Sequence, residues 1–168
     1  EPVSSLGAED AHYEGLKPPY LTANQLMLDK DELRAVRGVT AKIYARLAPY
    51  VCVVPNNKLK ININTLDPTR PALLSALYLG KIGTDEAKRV LTERPQKGWQ
   101  EKKAMTVQMP VQASTIPGLE DSLVVSSDYF NAQLIAEVGD TRARLQTIFM
   151  RSSENKLVVL RRLNDGAE

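Results

Sequence analysis

The acidic pair Glu9-Asp10, with Glu14 one helical turn further on, sets carboxylates where they can offer oxygen ligands to a cation. Calcium is the ion this chemistry suits, but it takes about six to eight oxygens at once. Two or three carboxylates fall short of that number, so the default reading is a solvated acidic arm. The run K-I-N-I-N-T-L-D-P at residues 60–68 is a second chemical feature, with amides alternating with β-branched side chains. Asn64 or Thr65 is placed to cap a helix beginning near Leu66, with Asp67 or Pro68 in its first turn. Asn62 is then free to tie the incoming segment to backbone groups of a neighbouring helical hairpin, while the isoleucines face a helical core. A third feature is a basic stripe of Arg142, Arg144, Arg151, Arg161 and Arg162 near the C-terminus, which reads as the wet side of a sheet or as a partner-binding face.

Several chemistries are excluded. His12 is the only histidine and Cys52 the only cysteine, which removes zinc sites built from those residues and any disulfide within the chain. Cys52 lies in the apolar run V-C-V-V with no acidifying neighbour, and reads as a buried, inert thiol. No nucleophile elbow, phosphate loop or dinucleotide fingerprint occurs, so an enzyme is the weakest class. With 22 basic and 20 acidic residues the formal charge is +2, too near balance to imply a nucleic-acid or membrane-surface partner by itself.

The elements that must position these residues divide by period. Residues 1–20 are rich in turn formers and read as an extended arm with at most one short helical turn. Beyond them, Thr22 can cap a short helix through Gln25, Asp29 a second that ends at Gly38, and Thr40 a third closed by Pro49. Leu73, Leu74, Leu77 and Tyr78 form the stripe of a helix ended by Gly80, and another helix starts at Thr84 and stops before Pro95. Residues 32–47 and 72–91 therefore share one plan: helix, glycine turn, capped helix. Two such hairpins can pack into one small helical unit, to which Trp99 contributes as a partial core residue or a lid.

Such hairpins invite comparison with helix-hairpin-helix DNA-binding modules, which offer turn amides to phosphate. Gly38 and Gly83 have Arg34, Arg37, Lys42, Lys81, Lys88 and Arg89 nearby. Asp29, Asp31, Glu32, Asp85 and Glu86 lie among them, and counterion release requires uncancelled positive charge. DNA binding stays as the alternative reading.

After an irregular stretch the period becomes two. Phe130, Ala132, Leu134, Ala136 and Val138 alternate with Tyr129, Asn131, Gln133 and Glu137; Gly139-Asp140 turns the chain; Ala143, Leu145, Thr147 and Phe149 return inward. A second turn at S-S-E-N leads to K-L-V-V-L-R-R-L, which completes a three-stranded antiparallel meander with one wet face. A sheet of this size needs a cover, supplied by a helix from elsewhere in the chain or from outside these residues. The fold class is thus α+β, with an arm at 1–20, a helical domain at 21–118 and a meander at 119–168.

With these elements placed, the chain resembles the minor pseudopilin K family of bacterial type II secretion systems. The matching residues are A-E-D-A-H-Y with P-P-Y-L-T-A-N, E-L-R-A-V-R-G-V-T with L-A-P-Y-V-C-V-V-P, I-N-I-N-T, and V-S-S-D-Y-F. The resemblance implies a pilin-like antiparallel sheet laid against an N-terminal hydrophobic helix, with a SAM-like or helix-hairpin-helix-like domain of two hairpins inserted ahead of most of that sheet. It implies a piece beginning after the anchor of a protein held in the bacterial inner membrane, with its domain in the periplasm and membrane contact only through that helix. The implied role is non-enzymatic: capping the tip of the pseudopilus with minor pseudopilins I and J, in support of protein export, with no nucleic-acid partner. Calcium binding in the family carries over only to Glu9 and Asp10, because the acidic stretch that precedes this arm in the family is absent from the sequence.

Overall fold

A computed structural model of the chain describes residues 7–165. It combines short helices with an antiparallel sheet and divides into two compact units, Glu1–Asn57 and Lys58–Glu168. That division falls inside the stretch 21–118 taken above as one helical domain. The two hairpins of the apparent repeat consequently lie in different units.

The first unit holds α1 (Asp10–Glu14), a 3-10 helix at Lys30–Ala35 and α2 (Ala41–Leu47). Asp29 and Glu32 form a reciprocal capping box at the 3-10 helix, and the Thr40 hydroxyl accepts from the N–H of Ile43 at 3.2 Å to start α2. The helix expected from Thr22 to Gln25 does not form. Thr22 directs its N–H and hydroxyl to the Asp10 carboxylate instead, and Asn24 takes a left-handed conformation at φ 48°. Tyr13 is the only buried hydrophobic side chain among the described residues of this unit. Tyrosine hydroxyls supply much of its cross-linking. The Tyr13 hydroxyl accepts from the Arg37 N–H at 3.3 Å, that of Tyr20 donates to the Ala35 carbonyl at 2.6 Å, and that of Tyr44 donates to Asp31. Cys52, expected to be buried, is exposed. The segment around it is extended, so neighbouring side chains alternate sides, and Val51 and Val53 take the inner one.

The second unit carries the core. α3 (Ala72–Leu77) and α4 (Thr84–Thr92) form a hairpin in which Leu74 and Tyr78 meet Ala87, Val90 and Leu91. Trp99, Met105 from α5 (Lys102–Thr106), and Leu119 from α6 (Leu119–Ser122) extend that cluster. Gly80, expected to end α3, is left-handed at φ 71°, and Leu79 before it is left-handed as well, at φ 53°. The Gly80 N–H then reaches back to the Ser75 carbonyl at 2.9 Å and that of Leu79 to Ala76 at 2.8 Å, which is the Schellman arrangement.

A two-residue strand, β1 (Ile61–Asn62), pairs in parallel with β2 (Leu123–Val124). Behind β2 the meander runs as β3 (Tyr129–Val138), β4 (Thr141–Arg151) and β5 (Leu157–Asp165), in spatial order β3-β4-β5. Register puts Phe130 opposite Phe149, Ala132 opposite Thr147, Leu134 opposite Leu145 and Ala136 opposite Ala143, as the period-two reading requires. Gly139, at φ 57°, leads the two-residue loop between Val138 and Thr141.

Candidate functional site

Two places gather the residues singled out by the sequence: the I-N-I-N-T segment and the sheet. Asn62 accepts from the Asn64 N–H with its side-chain oxygen at 3.0 Å and so caps a single 3-10 turn, Ile63–Thr65. Its amide nitrogen donates to the Ser127 hydroxyl at 2.9 Å. Asn62 thus reaches the approach to β3 rather than the neighbouring hairpin.

Asn64 and Thr65 cap no helix near Leu66. The chain is extended there, at φ -65° and ψ 127°, because Pro68 disfavours the helical conformation at Asp67, and α3 begins only at Ala72 behind Pro71. Asp67 closes a local turn instead, accepting from the Thr69 N–H at 2.8 Å and from its hydroxyl at 2.7 Å. Thr65 returns its hydroxyl to the Asn62 carbonyl at 2.9 Å. Asn64 spans three segments: its amide nitrogen donates to the carbonyls of Trp99 at 2.9 Å and Val125 at 3.1 Å, and its oxygen accepts the Trp99 N–H at 2.8 Å.

Around it, one guanidinium nitrogen of Arg94 donates to the Asn64 and Leu66 carbonyls at 2.8 and 2.9 Å. Gly98, at φ 73°, lies so close that a Cβ there would stand 2.9 Å from the Asn64 side chain. Ile63 is fully buried beneath, and Ile61 packs against the same cluster. Trp99 is a core residue at 2% exposure, not a lid.

The sheet presents two unlike faces at its outer end. Leu134, Ala136, Val138, Ala143 and Leu145 share one face, with Leu134 and Val138 54% and 80% exposed. Gln133, Glu137, Arg142 and Arg144 share the other with an exposed Ile135, and an Arg142–Glu137 ion pair at 3.2 Å joins two of them. The five arginines do not form one stripe. Register places Arg162 beside Thr147 on the apolar face and Arg161 beside Ile148 on the polar one, while Arg151 stands over the Phe130 ring at 5.1 Å. Parity already contains this result, since adjacent strand residues must point to opposite faces.

Glu9 and Asp10, singled out as candidate calcium ligands, stand at the start of α1. Glu9 is exposed at the start of α1 with no side-chain cap bond. One Asp10 oxygen is committed to Thr22, whose hydroxyl and N–H hold that carboxyl below its ordinary pKa. Among the described residues, no three His, Cys, Asp or Glu side chains converge as a metal site. The charges proposed around the helical turns are also engaged, with Arg89 paired to Glu86 and Glu93 at 2.7 Å each and Arg34 over the Tyr44 ring at 5.8 Å.

Two family models, both described as type II secretion system (T2SS), protein K, match residues 1–56 and 61–126. The chain belongs to the type II secretion system protein K family. The seam between the two matched stretches coincides with the division of the compact units at Asn57 and Lys58. Type II secretion system protein K of Aeromonas hydrophila is 71% identical over 166 residues, covering 99% of this chain and 50% of that protein. The Dickeya chrysanthemi protein of the same name is 40% identical over 158 residues, covering 94% of this chain and 43% of its own length. The chain therefore spans about half the length of the curated relatives it matches. Among solved structures, the crystal structure of the GspK-GspI-GspJ complex from the enterotoxigenic Escherichia coli type 2 secretion system contains a similar chain. The TM-score is 0.82 at 31% identity, over 97% of this chain and 57% of that one. Among the described residues, no helix is long and apolar enough to cross a membrane.

Proposed function

We propose that this chain is the helical and C-terminal sheet portion of a non-enzymatic minor pseudopilin that caps the tip of the type II secretion pseudopilus together with pseudopilins I and J. The observation that carries this reading is the likeness, at a TM-score of 0.82 over 97% of the chain, to a chain solved within a GspK-GspI-GspJ complex. In this reading the helical segments are the two-hairpin insertion ahead of a pilin-like sheet, and the domain stands in the periplasm on a protein anchored in the inner membrane. The apolar face of the meander, exposed at Leu134 and Val138 and half-buried at Phe130 and Phe149, supports it. Along that face large pairs (Phe130 with Phe149, Leu134 with Leu145) alternate with small ones (Ala132 with Thr147, Ala136 with Ala143), giving ridges and troughs suited to a packed helix.

Size-exclusion chromatography with the I and J proteins of the same source tests the assignment, using a longer chain that carries the complete sheet and N-terminal helix region. Co-elution of all three is expected. Separate elution of this chain from an I–J pair at micromolar concentrations overturns it.

A further inference from the structure

We propose that the two asparagines of I-N-I-N-T form a coupling device that fixes the direction in which the meander leaves the helical body of α3 to α6, so that this body and the sheet move as one rigid piece. Residues 123–128, just after α6, are the natural place for a hinge, because they alone connect α6 to β3 along the chain. They are held almost residue by residue. The Asp121 carbonyl accepts from the Lys60 ammonium at 2.6 Å, Leu123 and Val124 pair with Ile61 and Asn62, the Val125 carbonyl accepts from Asn64 at 3.1 Å, and the Ser127 hydroxyl accepts from Asn62 at 2.9 Å. The Asp128 carbonyl then accepts the Arg151 N–H at 2.7 Å, tying the end of the connection to β4.

A two-residue parallel ladder is too short to set an angle alone. The restraint comes from the side-chain amides, because Asn64 is itself fixed to both backbone groups of the buried Trp99, and Arg94 grips the carbonyls on either side of Thr65. Hinges absorb motion through a few backbone dihedrals that nothing else restrains. Here most of those dihedrals lie between bonded neighbours. A partner seated on the sheet therefore acts on the helical body without an intervening joint, whether or not that partner is a pseudopilin.

The test is an electron-spin distance measurement between labels at Lys88→Cys on α4 and Gln133→Cys on β3, both exposed positions, in a Cys52→Ser background. One narrow distance peak is expected for the parent, and loss of that peak to a broad distribution for the Asn62→Ala/Asn64→Ala pair, with amide exchange at Val90 and Leu91 still slow. A narrow peak that survives in the pair, alongside a lowered melting midpoint, means the amides only stabilise and overturns the proposal. So does a broad distribution in the parent. Should the pair fail to fold, Asn62→Ala alone removes both the Ser127 tie and the cap on residues 63–65, and a peak as narrow as the parent's in that variant overturns the role given to the two asparagines equally.

Discussion

Asn64 and Trp99 are bonded to each other twice: the asparagine oxygen accepts the Trp99 N–H at 2.8 Å while its nitrogen donates to the Trp99 carbonyl at 2.9 Å. An amide side chain here takes the place of a neighbouring strand, satisfying both backbone groups of one residue. Replacing it by alanine orphans these groups and the Val125 carbonyl together. Asn64→Ala should lower unfolding free energy by about 2 kcal/mol or more, and Asn62→Ala by about 1 kcal/mol. Urea denaturation checks both, and equal losses for the two would contradict the central position given to Asn64.

Gly98 is the complementary prediction. Its φ of 73° is costly for any residue with a Cβ, and that Cβ would stand 2.9 Å from an Asn64 side chain pinned by three hydrogen bonds. Gly98→Ala should therefore destabilise by about 1–3 kcal/mol. In the Asn64→Ala background the same change should cost less, because the clash is gone, so a double-mutant cycle reads the contact directly.

Tyr78 is fully buried, and its hydroxyl has no hydrogen-bond partner in the core. Burial pushes its pKa up to about 12 from 10.0. The neutral form is thus favoured in the folded state. Stability is fully present below pH 10 and falls as the pH rises toward 12, since the unfolded chain ionises first. Tyr78→Phe should keep or raise stability at neutral pH, by up to about 1 kcal/mol, and flatten this alkaline fall. Thermal midpoints measured across that range check it; a steep loss at neutral pH would show that the hydroxyl is paired.

Leu79 is 69% exposed and left-handed at φ 53°. Its side chain is not in the core, so the backbone conformation dominates the effect of replacing it. Leu79→Gly should stabilise by about 0.5–1 kcal/mol, the usual preference for glycine at this helix-terminating position less its extra freedom when unfolded. A loss of stability would mean that the leucine makes a packing contact.

Cys52 is exposed, so a disulfide reagent should titrate one thiol in the native chain without denaturant. Labelling that waits for unfolding would restore the buried thiol expected from V-C-V-V.

The residues that were legible in the sequence are those whose partners lie nearby along the chain. Thr40 and Asp29 each cap within one turn, and the meander announces itself by period two and by Gly139 between two alternating runs. Asn64 was singled out correctly, but its role was not visible, because its partners lie 35 and 61 residues away. Local reasoning could only offer it a cap. Thr22 failed for the same reason, drawn off by a carboxylate 12 residues earlier. The bulge between Ile148 and Phe149 shifts how β5 meets β4, which periodicity within one strand cannot reveal.

The parallel pairing of β1 with β2 also has a consequence in time. Ile61 and Leu123 are neighbours only when the whole loop between them has been made and closed, and Lys60 with Asp121 closes a loop of nearly the same length, 61 residues apart. Contacts of such long range are slow to form, since the entropy of closure is lost before any bond repays it. A chain emerging from N- to C-terminus can condense the α3–α4 hairpin early, yet it cannot anchor Asn64 until Val125 has arrived. The final tightening of this unit should then be a late and sluggish event, leaving a window in which a partially ordered helical body waits for its sheet.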